Sequence, residues 1–382
     1  MNRRRGGASP IRRATGWLRS QLRHDPWPIW LVLITHVAAL GIALVLYALP
    51  HHVIPHGEAS VGIVSTRGGT VTTVQASAPV ETAQPAQAAP EGAAVEASSV
   101  EDTAAVAEAT TPEPTATPAP VVVGNFKDTY ADMFTGGEVN YSDTSYQSGN
   151  VAVRYYTEYN EDVHSQVYLV EFYVADISCL ITAFGKDTYG RGYTEWIEKI
   201  ADRYTAVTTL NGDYYGTRDT GVVIRNGTLY RNNKTTDDIA ILYWDGHMEM
   251  FKATEFDAMK EMERGAYQSW CFGPSLLDGN GMLREDYPDG HGLNKRHPRS
   301  AIGYYEPGHY CFVAVDGRNK NSRGATIPQL ATIMAGFGCK LAYNLDGGQT
   351  SLLALGPKLV NVPSDGGRSS SDYIMVVDRI TE

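Results

Sequence analysis

Three short segments each place an aspartate next to a glycine, directly after an apolar run. The segments are Asn211-Gly212-Asp213, Asp316-Gly317-Arg318 and Leu345-Asp346-Gly347-Gly348. Carboxylates act as acids, bases or nucleophiles in hydrolysis, and glycine lets the backbone approach a ligand closely. An Asp-Gly pair alone usually marks only a turn. Because all three pairs follow runs that look buried, we predict Asp213, Asp316 and Asp346 as candidate catalytic residues.

The segment from Asn344 to Ser351 is the densest of the three in polar groups. It combines one acid, two glycines and two hydroxyls in a tight turn after an apolar run. Such a turn suits a sugar or a phosphate better than an apolar ligand. We therefore predict Asn344, Gly347, Gly348 and Ser351 as substrate-binding residues.

Arginines lie close to the same segments. Arg is the planar, bidentate partner of phosphate, which makes Arg299, Arg318 and Arg368 candidates for a phosphate site. A surface arginine without a role is an equally good interpretation of Arg368. The remaining predicted ligand contacts come from the first two loops: Asn211, Gly212, Tyr214 and Gly317. The polar loop before Arg299 adds His291 and His297.

The sequence contains none of three familiar catalytic patterns. It has no G-x-S-x-G nucleophile elbow, no H-E-x-x-H metal motif and no G-x-x-x-x-G-K-[ST] phosphate loop. A carboxylate-based mechanism is therefore favoured over these alternatives.

The elements that must position these residues are mainly strands, so we predict an α+β fold with a strand-rich sheet and two or three packed helices. An Asn226-Gly227 turn indicates one hairpin and Asp245-Gly246 another. Strands are predicted over 151–159, 167–174, 177–184, 206–210, 222–224, 228–230, 239–243, 247–251, 302–305, 310–315, 341–343 and 373–377, and residues 352–355 form a further apolar run. Helices are predicted over 196–204, 255–264 and 327–337.

The N-terminal part has a different character. Residues 29–49 form an uncharged, almost wholly apolar run that is long enough to span a bilayer, and seven arginines precede it in residues 1–28. The positive-inside bias predicts a cytoplasmic arm and an extracellular remainder, in a single-pass membrane protein. A cleaved signal peptide is the alternative, but no convincing cleavage site follows the run, so we favour an uncleaved signal-anchor.

Residues 50–124 are predicted to be a disordered linker rich in Ala, Pro, Thr and Glu, because such a segment cannot bury enough apolar surface to order itself. The folded domain is predicted to cover residues 125–382.

The net charge limits the class of binding partner, and the cysteine pattern indicates the state of the thiols. The chain carries a net charge of −11 although its N-terminal arm is basic, so the remainder is strongly acidic and nucleic acid is not expected as a partner. Four cysteines lie among apolar residues without a C-x-x-C pair, which favours buried free thiols over disulfides.

Six short motifs, taken in order, resemble the phosphodiester glycosidase family. They are Leu210-Asn211-Gly212-Asp213-Tyr214-Tyr215-Gly216, Val223-Ile224-Arg225-Asn226-Gly227, Phe272-Gly273-Pro274, Pro298-Arg299-Ser300-Ala301-Ile302-Gly303, Val315-Asp316-Gly317-Arg318 and Asn344-Leu345-Asp346-Gly347-Gly348. The closing Ser371-Asp372 is also similar. The chain departs from the family pattern at Gln349-Thr350-Ser351 and at His297. Bacterial members of the family are associated with exopolysaccharide biosynthesis.

The resemblance implies hydrolysis of a sugar-1-phosphodiester at the anomeric carbon, as in the removal of N-acetylglucosamine from a phosphodiester. Arg299 and Arg318 would then bind the phosphate, the Gly347 and Gly348 amides would contact the ligand, and two of the three acids would flank the reacting carbon. An acid cluster could instead hold a divalent cation such as Ca²⁺. The competing function is a non-catalytic module that binds or assembles envelope glycans.

Overall fold

A computed structural model describes residues 122–287 and 292–379, together with the backbone of residues 61–65 and 71–75. The predicted cytoplasmic arm, the predicted membrane span at 29–49 and His291 lie outside these residues. Within the described part of the chain, no helix is both long and apolar enough to cross a bilayer.

The described residues form a strand-rich α+β structure, as predicted. The strands are β1 (Val61–Ser65), β2 (Val71–Gln75), β3 (Asn140–Tyr141), β4 (Ser145–Gln147), β5 (Val151–Asn160), β6 (Ser165–Val174), β7 (Leu180–Phe184), β8 (Ala206–Asn211), β9 (Val222–Arg225), β10 (Thr228–Asn232), β11 (Ile239–Tyr243), β12 (Met248–Phe251), β13 (Ala266–Trp270), β14 (Arg299–Glu306), β15 (His309–Val315), β16 (Leu341–Asn344), β17 (Leu353–Leu355), β18 (Lys358–Leu359) and β19 (Asp372–Val377). The helices are α1 (Ile197–Tyr204), α2 (Ala258–Glu263) and α3 (Ile327–Gly336).

Two antiparallel sheets form the centre of the structure. The larger has the order β16-β14-β15-β6-β5-β4-β3 and the smaller β18-β17-β8-β19-β7. One apolar cluster joins residues of both sheets, a second lies between the larger sheet and α3, and a third lies between the smaller sheet and α1. Burying a sheet on both faces explains why β15 and β19 are apolar along nearly their whole length.

Local sequence signals explain several element boundaries. The Thr326 hydroxyl accepts from the Gln329 amide while Gln329 bonds back to the Thr326 backbone, a capping box that starts α3. Asn226 and Gly227 both have positive φ, which confirms the predicted turn between β9 and β10.

Two predicted elements are wrong in part. The predicted helix over 255–264 is shorter, because the Asp257 carboxylate caps α2 and a 3-10 turn, Ala253–Glu255, precedes it. The predicted strand over 177–184 starts with another 3-10 turn, Ile177–Cys179, because the Asp176 carboxylate accepts from the Ser178 amide.

The predicted linker is also not uniform. The strands β1 and β2 lie within residues 50–124 and pair with each other, and β1 pairs with β10 through Ile63–Leu229 and Val64–Thr228. Composition averaged over the linker hides two short runs that are rich in Val and Thr. Two strands thus lie within a segment that was predicted as a disordered linker.

All four cysteines are buried free thiols in this structure. The Cys311 and Cys339 sulfurs lie 3.6 Å apart, next to Gly303, where a Cβ atom would fall only 2.5 Å from the Cys311 sulfur.

A buried ionic cluster joins the ends of β9, β8 and β19. The Arg225 guanidinium is 1% exposed and lies 2.8 Å from a carboxylate oxygen of both Asp213 and Asp372. A Cβ atom on Gly212 would fall 2.4 Å from the Asp372 carboxylate, so glycine is required there by packing. Because both carboxylates are buried and share this one guanidinium, their stability inside the protein depends on Arg225.

We predict that Arg225→Met lowers the free energy of unfolding by about 3–5 kcal/mol at neutral pH, because it leaves two buried carboxylates without their cation. Urea unfolding followed by tryptophan fluorescence measures the change. The control is Arg191→Met, which removes the exposed ion pair with Asp219 and should cost about 0–1 kcal/mol. Equal effects of the two substitutions would contradict the assignment of a buried cluster.

Candidate functional site

A cavity of about 900 Å³ opens beside the loop that follows β16, and this volume is within the range of ligand sites. It gathers half of the predicted site residues. Those that line it are Tyr214, His297, Arg299, Arg318, Asp346, Gly347, Gly348 and Arg368. The others, Asn211, Gly212, Asp213, Asp316, Gly317, Asn344 and Ser351, are buried around it and do not line it.

Asp346 is the predicted acid that reaches the cavity. Its side chain is almost fully buried, and burial raises the pKa of its carboxyl to about 6, against the opposing effects of the Thr350 hydroxyl and the Arg368 charge. The Gly347 amide donates to its Oδ1 at 2.9 Å and Arg368 lies 3.3 Å from its Oδ2. A carboxyl with such a pKa can exchange a proton near neutral pH.

Arg368 links this carboxylate to the first loop. Its guanidinium donates to the Thr350 hydroxyl and lies 5.1 Å from the centre of the Tyr214 ring, a cation–π contact. Tyr214 has φ of +67°, in the left-handed region that a bulky residue rarely adopts. Backbone strain of this kind is often found at functional sites.

Gly347 and Gly348 have packing roles in addition to their place at the cavity. A Cβ atom on Gly347 would fall 2.6 Å from the Pro298 carbonyl oxygen, and Gly348 has φ of +66°. The Gly347 amide donates to Asp346 and the Gly348 amide donates to the Pro298 carbonyl at 3.0 Å. Neither amide is therefore free for a ligand in this arrangement, which differs from the role predicted for them.

Arg299 reaches the cavity from the start of β14 and is held by backbone carbonyls. Its Nε donates to Ala325, and its Nη2 donates to Leu293 and Lys295, each at 2.9 Å. Among the residues that the structure describes, no carboxylate pairs with it. Burial and the nearby Arg318 lower the pKa of Arg299 to about 10, so it remains charged at neutral pH.

Arg318 is exposed and bonds to a histidine instead of an acid. Its Nη2 lies 2.6 Å and its Nε 3.2 Å from Nδ1 of His297. Burial and the charges of Arg318, Arg299 and Lys295 lower the pKa of His297 to about 4. The imidazole is therefore neutral at pH 7, and its Nδ1 accepts a hydrogen bond from Arg318.

Asp213 and Asp316 are each saturated by protein donors. Asp213 accepts from Arg225 and from the Cys271 amide at 2.8 Å. Asp316 accepts from the Tyr168 hydroxyl at 2.8 Å and from Asn361 and the Val362 amide at 3.1 Å. In this structure both carboxylates hold neighbouring segments together and do not line the cavity.

The buried polar residues around the cavity fix its walls. Asn211 donates to the Asp346 carbonyl at 2.7 Å, and Ser351 donates to the Arg299 carbonyl at 2.9 Å. Asn344 donates to the Gly273 carbonyl at 2.6 Å. Gly317 packs so closely that a Cβ atom would fall 2.7 Å from the Gly324 Cα.

Sequence reasoning did not predict several residues that line the cavity: Arg218, Thr220, Lys234, Thr235, Thr236, Asp237, Phe272, Leu293 and Gln349. Arg218 pairs with Asp237 at 2.9 Å and lies 5.4 Å from the Phe272 ring centre. Two signals could have suggested some of them: Arg218 follows the Asn211-Gly212-Asp213 segment closely, and Phe272 belongs to the Phe272-Gly273-Pro274 motif.

The cavity is strongly cationic. Among the described residues that line it, five carry a positive charge and two carry a carboxylate: Arg218, Lys234, Arg299, Arg318 and Arg368 against Asp237 and Asp346. The carboxylates each pair with one arginine, and within the described part of the chain Arg299, Arg318 and Lys234 have no acidic partner. This arrangement fits an anionic ligand such as a phosphate ester.

The described residues contain no cluster of acidic side chains that could bind a metal ion. In residues 122–287 and 292–379, no three His, Cys, Asp or Glu side chains lie close enough together to share a metal ion. The possible Ca²⁺ site stays a prediction.

Comparisons with known proteins agree with the motifs. The sequence model of the phosphodiester glycosidase family matches residues 204–377. A Bacillus subtilis (strain 168) relative, the SPbeta prophage-derived uncharacterized protein YomE, is 31% identical over 186 residues. That alignment covers 47% of this chain, and the chain spans only 29% of the relative's length.

Solved structures are similar at lower identity. The zebrafish N-acetylglucosamine-1-phosphodiester alpha-N-acetylglucosaminidase catalytic domain, auto-inhibited by its pro-peptide, superimposes with a TM-score of 0.49 and 19% identity, over 63% of this chain and 88% of that chain. A hypothetical protein from Synechocystis gives a TM-score of 0.46 and 13% identity, over 63% and 64% of the two chains.

The family match contains the loops that carry Asp213, Arg299, Arg318 and Asp346, and it includes the closing strand β19. Over residues 204–377, the chain is therefore similar to the phosphodiester glycosidase family.

Proposed function

We propose that the protein is a membrane-anchored hydrolase that cleaves a sugar-1-phosphodiester in a glycan of the cell envelope. The observation that carries the proposal is the position of one buried carboxylate, Asp346, at a cavity where three cationic side chains have no acidic partner among the described residues. The family supports the reaction class, and the charge of the cavity supports a phosphate-containing substrate.

The arginines bind and stabilise the phosphate. Arg318 offers an exposed guanidinium, and Arg299 is fixed by three carbonyls while its Nη1 makes no hydrogen bond within the described residues. When the bond between the anomeric carbon and the phosphate oxygen breaks, negative charge develops on that oxygen. Cations already held in place stabilise this charge without reorganising.

Asp346 acts on the other side of the bond, in its ionised form. It either removes a proton from the attacking water or attacks the anomeric carbon itself, after which water releases the sugar. The products are the free sugar and a phosphomonoester. Because phosphate is a good leaving group, a strong second acid is less necessary than in other glycosidases.

Asp346→Asn is expected to lower kcat for an N-acetylglucosamine-1-phosphodiester by about 10²–10⁴-fold, because the amide cannot act as base or nucleophile. Release of free N-acetylglucosamine measures turnover, and a thermal melt verifies folding. The matched control is Asp365→Asn, which removes an exposed carboxylate that contacts Gln349 and does not line the cavity.

Full activity in a folded Asp346→Asn variant would contradict the catalytic role. Binding of the substrate by the unmodified protein without any turnover would indicate the alternative, a glycan-binding module. Loss of activity after exhaustive chelation, restored by Ca²⁺, would show that a cation takes part.

The pH dependence follows from the raised pKa of Asp346. Since the ionised carboxylate is the active form, kcat/KM should rise as the pH increases through about 6 and level off above it. The Arg368 charge lowers the pKa of Asp346, so Arg368→Met should move this rise to higher pH. A pH–rate profile that falls through the same region would instead make Asp346 the acid.

Membrane anchoring is part of the proposal and is supported by the apolar run at 29–49 and the arginines that precede it. The full chain is expected to remain with membranes after alkaline carbonate extraction, and protease added outside intact cells should degrade residues 125–382. A variant without residues 29–49 is expected in the soluble fraction. Recovery of the full chain as a soluble protein would contradict the anchor.

A further inference from the structure

A second cavity, of about 440 Å³, lies on a different part of the domain and shares no lining residue with the first. Its walls come from β3, β4 and β5 on one side, and from the end of α1 and the turn between β17 and β18 on the other. The reaction proposed above uses none of these residues.

Tyrosines form one wall of this cavity. Tyr141, Tyr146 and Tyr155 line it, and Tyr141 is 81% exposed, which is unusual for an aromatic side chain at a sheet edge. The Tyr146 hydroxyl donates to Asp378 at 2.7 Å, and Asn150 donates to the same carboxylate at 3.2 Å. The ring of Tyr146 is therefore held in place before any ligand arrives.

The opposite wall contains a strained threonine. Thr205 follows α1 with φ of +51°, in the left-handed conformation that helix ends normally assign to glycine. A β-branched residue is a true outlier there. Its hydroxyl has no hydrogen-bond partner within the described part of the chain, so local structure gives no reason for threonine at this position.

The chemistry of the lining selects the kind of ligand. Hydroxyls of Ser142, Thr144 and Thr205 lie around the cavity, and among the described residues that line it only Asp202 is charged. The lack of Lys and Arg argues against an anion. A sugar ring has apolar C–H faces and hydroxyls around its edge. It therefore matches both the tyrosine rings and the hydroxyl groups that line this cavity.

We propose that this cavity is a second binding site, specific for a neutral saccharide unit of a glycan, and that Thr205 keeps its strained conformation to place a hydroxyl against that sugar. The site is independent of the proposed hydrolysis. In an enzyme that acts on a glycan polymer, it would hold the chain at a distance from the reacting bond.

The test is a calorimetric titration of the full chain with each of three oligosaccharides: chitotetraose, cellotetraose and maltotetraose. At least one of these should bind, and Tyr141→Ala and Thr205→Gly should each weaken it about tenfold or more, roughly the loss of one contact. Thr205→Gly should also raise the melting temperature, because glycine adopts positive φ without strain. The matched control is Tyr159→Ala, an exposed tyrosine on β5 that does not line the cavity.

Three results would overturn the proposal: no binding of any of the three oligosaccharides, equal binding by Thr205→Gly and the unmodified protein, or binding that Tyr159→Ala weakens as much as Tyr141→Ala does. Turnover of a small phosphodiester should be unchanged in all three variants. A failure of the hydrolytic function would leave this binding intact, so the two proposals fail separately.

Discussion

The position of the Asp346 carboxylate depends on one buried carboxamide, that of Asn211. Its Nδ2 donates to the Asp346 carbonyl at 2.7 Å, while its Oδ1 accepts from the Ser300 hydroxyl at 2.7 Å and from the Leu352 amide at 3.2 Å. These contacts join the end of β8 to the start of β14 and to the loop after β16. Because a buried amide without partners is costly, the three segments are held in one arrangement. The loop that carries Asp346 is thus fixed by a residue that does not line the cavity.

The electrostatics of the cavity follow from how its cations are held. Carboxylates beside Arg299 and Arg318 would stabilise the protein. They would also neutralise the positive charge that attracts an anion to the cavity. Here Arg299 is bound by neutral carbonyls and Arg318 by a neutral imidazole. Burial and the like charge of Arg318 both lower the pKa of Arg299, so an anion bound between the two arginines would offset this unfavourable interaction. Such an arrangement is typical of a preorganised anion site.

Much of the fold was predictable because its signals are local. The Asn226-Gly227 hairpin, the capping box of α3 and the glycine at the loop after β16 each depend on a few adjacent residues. The role of Asp213 was not predictable, because its partner Arg225 reaches it only after β9 and β19 have paired with their neighbours. The same holds for the bond between His297 and Arg318, and for Arg218, whose motif-free loop gives no chemical signal. Local patterns thus located the loops, and long-range packing decided which side chains reach the cavity.

This division also explains why three similar Asp-Gly segments have different surroundings. At Asp213 and Asp316, fully formed donor sets consume both carboxylate oxygens, and the adjacent glycines are required by close packing. At Asp346, burial works against ionisation, while the Thr350 hydroxyl, the charges of Arg368 and Arg218 and the Gly347 amide favour it. An acid whose protonation changes near neutral pH is a poor structural crosslink, since its contribution changes with pH. The same property is what proton transfer at neutral pH requires, so Asp346, which among the three acids is the one that lines the cavity, is the one suited to chemistry.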